Sequence, residues 1–226
     1  MSAPKHVLIL VGSPRGAKSC SESFGNYLSG RLAERGVETE RARIGAGLPS
    51  AEKLGEIVSS VERADLIVLA APLYVDSQPA PVVRVMEYIA ERQGDSSGAR
   101  APGFSVVLNC GLPDTCNNDV ALRIYRRFAA EAGMQWMGGL ALGMGEALAQ
   151  KPLDQTGRMG RQVRKSLDLA AAALADGKSI PDQAVKAMGK LMMPRWLYTF
   201  VAHRSWRRQL KKHGGKAPID ARPYQP

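Results

Sequence analysis

Val7-Leu8-Ile9-Leu10-Val11-Gly12-Ser13-Pro14-Arg15-Gly16-Ala17-Lys18-Ser19-Cys20-Ser21-Glu22-Ser23 is the stretch on which the fold turns. Five consecutive apolar residues, stopped by Gly12 and Pro14, predict a short strand buried on both faces, as strands of parallel sheets are. The loop after it carries small residues, two cations and the hydroxyls of Ser13, Ser19 and Ser21, then runs into a helix pattern built on Phe24, Leu28 and Leu32. A helix start offers unpaired backbone N–H groups and the positive end of the dipole, so this set suits a bound phosphate. A single capping serine would be enough for an ordinary strand-to-helix turn. The surplus of hydroxyls favours the phosphate reading.

Gly12 to Ser19 comes within one residue of the nucleotide-triphosphate loop G-x-x-x-x-G-K-[ST]. The miss falls at Ala17, where the added methyl group obstructs the backbone's wrap around a β-phosphate. The next buried run, 66 to 71, leads into Pro72 and not into the aspartate that would hold Mg²⁺. A triphosphate site is therefore disfavoured.

Gly12-Ser13-Pro14-Arg15 followed by Lys18-Ser19-Cys20-Ser21 resembles the first loop of the NADPH-dependent FMN reductase family and its flavodoxin-like relatives. The family's usual form is G-S-P-R, a short spacer, then S-N-T; here Cys20 stands for the asparagine and Ser21 for the threonine. A second stretch, Ala71-Pro72-Leu73-Tyr74-Val75-Asp76-Ser77-Gln78-Pro79-Ala80-Pro81, resembles the family's P-x-Y loop and its proline-started helix. The family often has lysine and aspartate where that helix carries Arg84 and Glu87.

Around these loops the chain alternates strand and helix. Val37 to Ile44 reads as a weakly apolar edge strand, and Leu54, Ile57, Val58 and Val61 mark a one-faced helix capped by Ser50. Residues 65–71 form a third strand, 104–109 a fourth and 134–142 a fifth. Ala121, Ile124, Tyr125, Phe128 and Ala132 face one way on the helix between the last two strands, and a further helix spans about 158–174. Five strands and five helices in this order match a flavodoxin-like, doubly wound α/β fold. Its five-stranded parallel sheet has the order 2-1-3-4-5, with ligand at the carboxyl ends of the strands.

The resemblance implies bound FMN and reduction by NADH or NADPH as co-substrate, with hydride passing from nicotinamide to flavin N5. On this reading Ser13, Arg15, Ser19 and Ser21 surround the FMN phosphate, with Lys18 and Cys20 beside them; Arg15 could equally face the extra phosphate of NADPH. Pro72, Leu73, Tyr74 and Ser77 line the ring, and Asn109 and Gly111 approach its pyrimidine side. Asn117 or Asn118 caps the fourth helix or belongs to the same turn. No side-chain acid or base is required, so no catalytic proton-transfer residue is expected. The electron acceptor is a small molecule, a flavin or a quinone, and relatives commonly form homodimers. The alternative is a non-catalytic flavodoxin-like electron carrier, whose usual acidic surface and threonine- and glycine-rich loop this chain lacks.

Cys20, Cys110 and Cys116 form no even framework and no compact metal cluster, so reduced thiols, no metal and a cytoplasmic setting are expected. Cys20 reads first as a small loop residue and second as a thiol activated by the helix start. Neither a signal peptide nor a membrane span is read from the chain.

The division expected is 1–178 for the FMN-binding domain and 179–226 for a basic, helical C-terminal extension. Residues 183–219 hold nine Lys or Arg and no Asp or Glu, so they account for nearly all of the formal charge of +10. Pro194 is placed to start a helix over 195–212, with Trp196, Leu197, Tyr198, Phe200 and Val201 in its first half and cations in its second. Four readings stay open. The favoured one packs the aromatic half on the body; the others are a subunit or crevice cap, contact with an anionic membrane, and, least of all, nucleic-acid binding.

Overall fold

The computed structural model describes residues 1–93, 101–149, 151–215 and 221. Strands β1 (His6–Val11), β2 (Glu38–Arg43), β3 (Leu66–Pro72), β4 (Gly103–Asn109) and β5 (Gln135–Leu142) form one parallel sheet. The order is β2-β1-β3-β4-β5, as the element order predicts. Val7 to Val11 are buried, and β1 is hydrogen-bonded on both sides, Leu8 lying opposite Glu40 and Ile67. The weakly apolar β2 takes the edge.

The helices are α1 (Cys20–Ala33), α2 (Ala51–Arg63), α3 (Ala80–Gln93), α4 (Asp119–Glu131), α5 (Arg161–Ala175), α6 (Asp182–Met188) and α7 (Arg195–Lys212). Helices α2, α3 and α4 bury Leu54, Ile57, Val82, Val85, Tyr125 and Phe128 in one cluster with Leu8, Leu10, Ile67 and Leu69. Helix α1 packs on the other face, where Gly25 lies close to Ile9 and Val11, and α5 lies alongside it. Ile124, expected on the inward side of α4, is more than one-third exposed. Gly12 ends β1 where a Cβ would stand 2.6 Å from Val82 Cγ2, so the start of α3 closes directly over the strand's end.

The first compact unit runs from Met1 to Lys190, past the expected boundary at 178. The reason is α6, which the sequence reading missed. The Ile180 amide donates to the Met137 carbonyl at 2.8 Å, and Ser166 Oγ donates to the Ala184 carbonyl at 2.7 Å, tying this segment to β5 and α5. The second unit, Leu191–Pro226, contains α7, whose bounds are those predicted. The end of the basic stretch, 216–219, lies outside the described residues. No described helix is long and apolar enough to cross a membrane.

Candidate functional site

The carboxyl ends of β1, β3, β4 and β5 each lead into a loop, and hydrogen bonds join these loops to one another. After β1, Gly16 takes a left-handed conformation (φ +63°) and residues 16–18 form one 3₁₀ turn before Ser19 caps α1. Ser13 Oγ accepts from the Arg15 amide at 3.3 Å, Ser19 Oγ from the Glu22 amide at 3.1 Å and Ser21 Oγ from Asn109 Nδ2 at 2.9 Å. All three serines are buried, and each hydroxyl, acting as an acceptor here, keeps its own proton to give. Lys18 is exposed and, with Ser19, Tyr27, Lys151 and Asp154, lines a groove of about 510 Å³ on the flank of α1.

Asn109 holds the centre. Its amide nitrogen also donates to the Ala71 carbonyl at 3.3 Å, so both of its N–H bonds are committed and it joins the ends of β3 and β4 to the start of α1. The Leu73 amide donates to the Asn109 carbonyl at 2.8 Å, which fixes the next loop. There Tyr74 and Ser77 exchange backbone hydrogen bonds of 2.8 and 3.1 Å around Val75 and Asp76, both left-handed (φ 47° and 62°). That is the backbone of a type I′ turn, in which a β-branched residue is strained. Val75 projects into solvent at 98 % exposure and Tyr74 is 42 % exposed, while Pro72 and Leu73 are half-buried. Ser77 Oγ donates to Gln78 Oε1 at 2.7 Å, which ties that hydroxyl to the protein.

A fourth loop, the one after β5, is tied to the loop after β4. The Met144 amide donates to the Leu112 carbonyl (2.7 Å) and the Gly145 amide to the Cys110 carbonyl (2.8 Å). A side chain at Gly143 would collide with the Pro113 carbonyl oxygen. This stitching delivers Glu146 to the first loop, where Arg15 donates to its carboxylate at 2.6 and 3.2 Å. The signal was the Gly143-Met144-Gly145-Glu146 run itself, whose glycines mark close backbone approach. Gly111 is exposed on the same loop as Cys110.

Cys20 faces the interior. Burial, reinforced by the Glu146 charge, pushes its thiol well above the usual cysteine range, so the helix start does not yield a thiolate. All three cysteines are free. Asn118 stands at the cap position of α4 without capping it; its amide donates to Cys110 Sγ (3.4 Å) and the Thr115 carbonyl (3.1 Å). Among the described residues no cluster of His, Cys, Asp or Glu could hold a metal ion.

Residues 6–107 match the family model for NADPH-dependent FMN reductases. The match runs from the start of β1 into β4, with the two loops after β1 and β3. No curated protein matches the chain. Among solved structures, an NAD(P)H:quinone oxidoreductase from Methanothermobacter marburgensis superimposes with a TM-score of 0.56 at 18 % identity, over 75 % of this chain and 95 % of that one. An FMN-dependent NADH-azoreductase from Bacillus anthracis, in complex with FMN, gives 0.54 at 14 % over 75 % and 99 %. A flavodoxin from Streptococcus pneumonia TIGR4 gives 0.52 at 15 % over 75 % and 97 %. The fold is flavodoxin-like.

Proposed function

We propose that this chain is an FMN-dependent NAD(P)H oxidoreductase of the flavin- or quinone-reductase type. The observation that carries the reading is the set of three buried serines at the junction of β1 and α1, each with a proton left to donate, beside the first-turn amides of a 14-residue helix. A phosphate monoester suits that donor set. The match to the FMN reductase family over the same loop supports FMN as its bearer.

FMN supplies a hydride-accepting ring when bound. The protein's part is position, electrostatics and water exclusion. Ser13, Ser19 and Ser21 would hold the phosphate, with Arg15, Lys18 and the backbone beside Cys20 contributing positive potential. Pro72, Leu73 and Tyr74 would flank the ring, Tyr74 with an aromatic face that is only partly covered. Asn109 acts as the strut that aligns the three loops, while Gly111 would stand near the pyrimidine side of the ring on the loop after β4. Ser77 shapes the Tyr74 turn through Gln78. No side chain is assigned a proton transfer.

NADH or NADPH is the proposed co-substrate and a small molecule the acceptor, and three free cysteines support a reducing, cytoplasmic setting. A homodimer is proposed through α3 and α4, whose outer faces share an apolar strip including Val83, Val120 and Ile124. Arg84, Glu87, Arg127 and Glu131 lie on the same two helices, so both signs of charge are at hand for a two-fold contact. Adding FMN to the purified protein and following NADH and NADPH at their absorption band tests the enzyme reading. Rapid oxidation of either is expected; FMN retention without oxidation would leave an electron carrier instead.

A further inference from the structure

Helix α7 is a helix with no buried residue. Within the unit 191–226, Trp196, Phe200 and Trp206 are 71, 62 and 53 % exposed. Helical spacing puts Trp196, Thr199, His203, Trp206 and Leu210 along one line, in which the His203 and Trp206 rings lie 5.5 Å apart, tilted by 36°. Directly beside that line Arg204, Arg207, Arg208 and Lys211, with Phe200 and His203, line a groove of about 430 Å³ on the helix's own surface. No acidic residue occurs anywhere in 183–219 to neutralise these cations.

An aromatic line and a cationic line side by side restrict the partner. A second copy of the helix would set like charges against each other. A nucleic acid would satisfy the cations, but no recognition motif accompanies them. The interface of an anionic bilayer takes both: indole and phenyl rings settle at headgroup depth, and long cationic side chains reach the lipid phosphates. We propose that α7 is a peripheral membrane anchor that docks the protein on anionic lipid.

The test is sedimentation of the full-length protein with phosphatidylcholine vesicles, with and without phosphatidylserine, at low and at physiological salt. Binding only to the anionic vesicles, weakened by salt, is expected. Each cation removed among Arg204→Gln, Arg207→Gln, Arg208→Gln and Lys211→Gln should lower partitioning about fivefold. Trp196→Ala with Phe200→Ala should weaken it at unchanged charge. The comparison of the two lipids with the unaltered protein is decisive without any variant. No binding to anionic vesicles, equal binding to neutral ones, or retention on duplex DNA or RNA in place of vesicles would overturn the anchor.

Discussion

Arg15 and Glu146, 131 positions apart in the chain, close a two-pronged ion pair between the loop after β1 and the loop after β5. The carboxylate raises the Arg15 pKa still further above its ordinary value. It also occupies the guanidinium that the phosphate reading needs, so an incoming dianion must compete with Glu146. Both side chains are about half exposed, which keeps the pair weak, within about 1 kcal/mol. Glu146→Gln should therefore tighten FMN binding by up to about fivefold, read by quenching of flavin fluorescence. Weaker binding in the variant would mean that Glu146 helps to hold the ligand.

The turn at Val75 and Asp76 should be improvable. Val75 pays a left-handed conformation with a branched side chain that touches almost nothing. Val75→Asn should gain about 1 kcal/mol, since asparagine tolerates this region, and raise the melting temperature by about 2–4 °C. A calorimetric scan without that shift would remove the strain argument.

Sheet order, the paired loops and the limits of α7 were legible because each rests on local pattern: a five-residue apolar run, a Pro-framed turn, a proline-started helix. Glu146, Asn109's role and α6 were not, because each depends on a partner distant in sequence. Asn109 reads as any polar strand end until Ser21, 88 residues away, is placed against it. Glu22 likewise looks like an exposed first-turn acid, yet it is buried beneath Arg43 and Arg41 of β2.

Removing a polar atom from the core should stabilise the protein. Tyr125 is fully buried beside Phe104, and its hydroxyl has no hydrogen-bond partner. Burial pushes its pKa up, so the group stays a neutral, desolvated hydroxyl. Tyr125→Phe keeps the ring and should raise stability by about 1 kcal/mol, seen as a higher urea midpoint at unchanged slope. A lower midpoint would show that the hydroxyl is satisfied after all.

Acid sensitivity should follow Glu22. Hydrogen bonds from Arg43, then the charges of Arg43 and Arg41, hold its carboxyl below the usual range despite burial. Because the folded value is the lower one, the pair's contribution is complete above the unfolded pKa of about 4.3 and is lost as pH falls through the folded value. Glu40, lowered by Ser60 and Arg63, adds to the same trend. Glu22→Gln should cost about 2 kcal/mol at neutral pH and flatten the fall in stability on acidification. Parallel denaturation curves across pH for the two proteins would show that Glu22 does not carry it.

Ser19 offers the sharpest separation of folding from binding. Its side chain caps α1 by accepting from the Glu22 amide, and aspartate caps a helix about as well as serine. A negative charge there also favours the helix dipole by about 0.3–1 kcal/mol. Ser19→Asp should thus leave the melting temperature equal or slightly raised. The same carboxylate would stand where the proposed phosphate docks, beside Ser21 and the first-turn amides, and repel it. FMN retention should fall at least about tenfold, as loss of a charge-assisted hydrogen bond implies, with an unchanged far-UV spectrum. A variant that folds as predicted and still keeps its flavin would place the phosphate elsewhere, while a variant that unfolds would show that the cap and not the ligand governs this position.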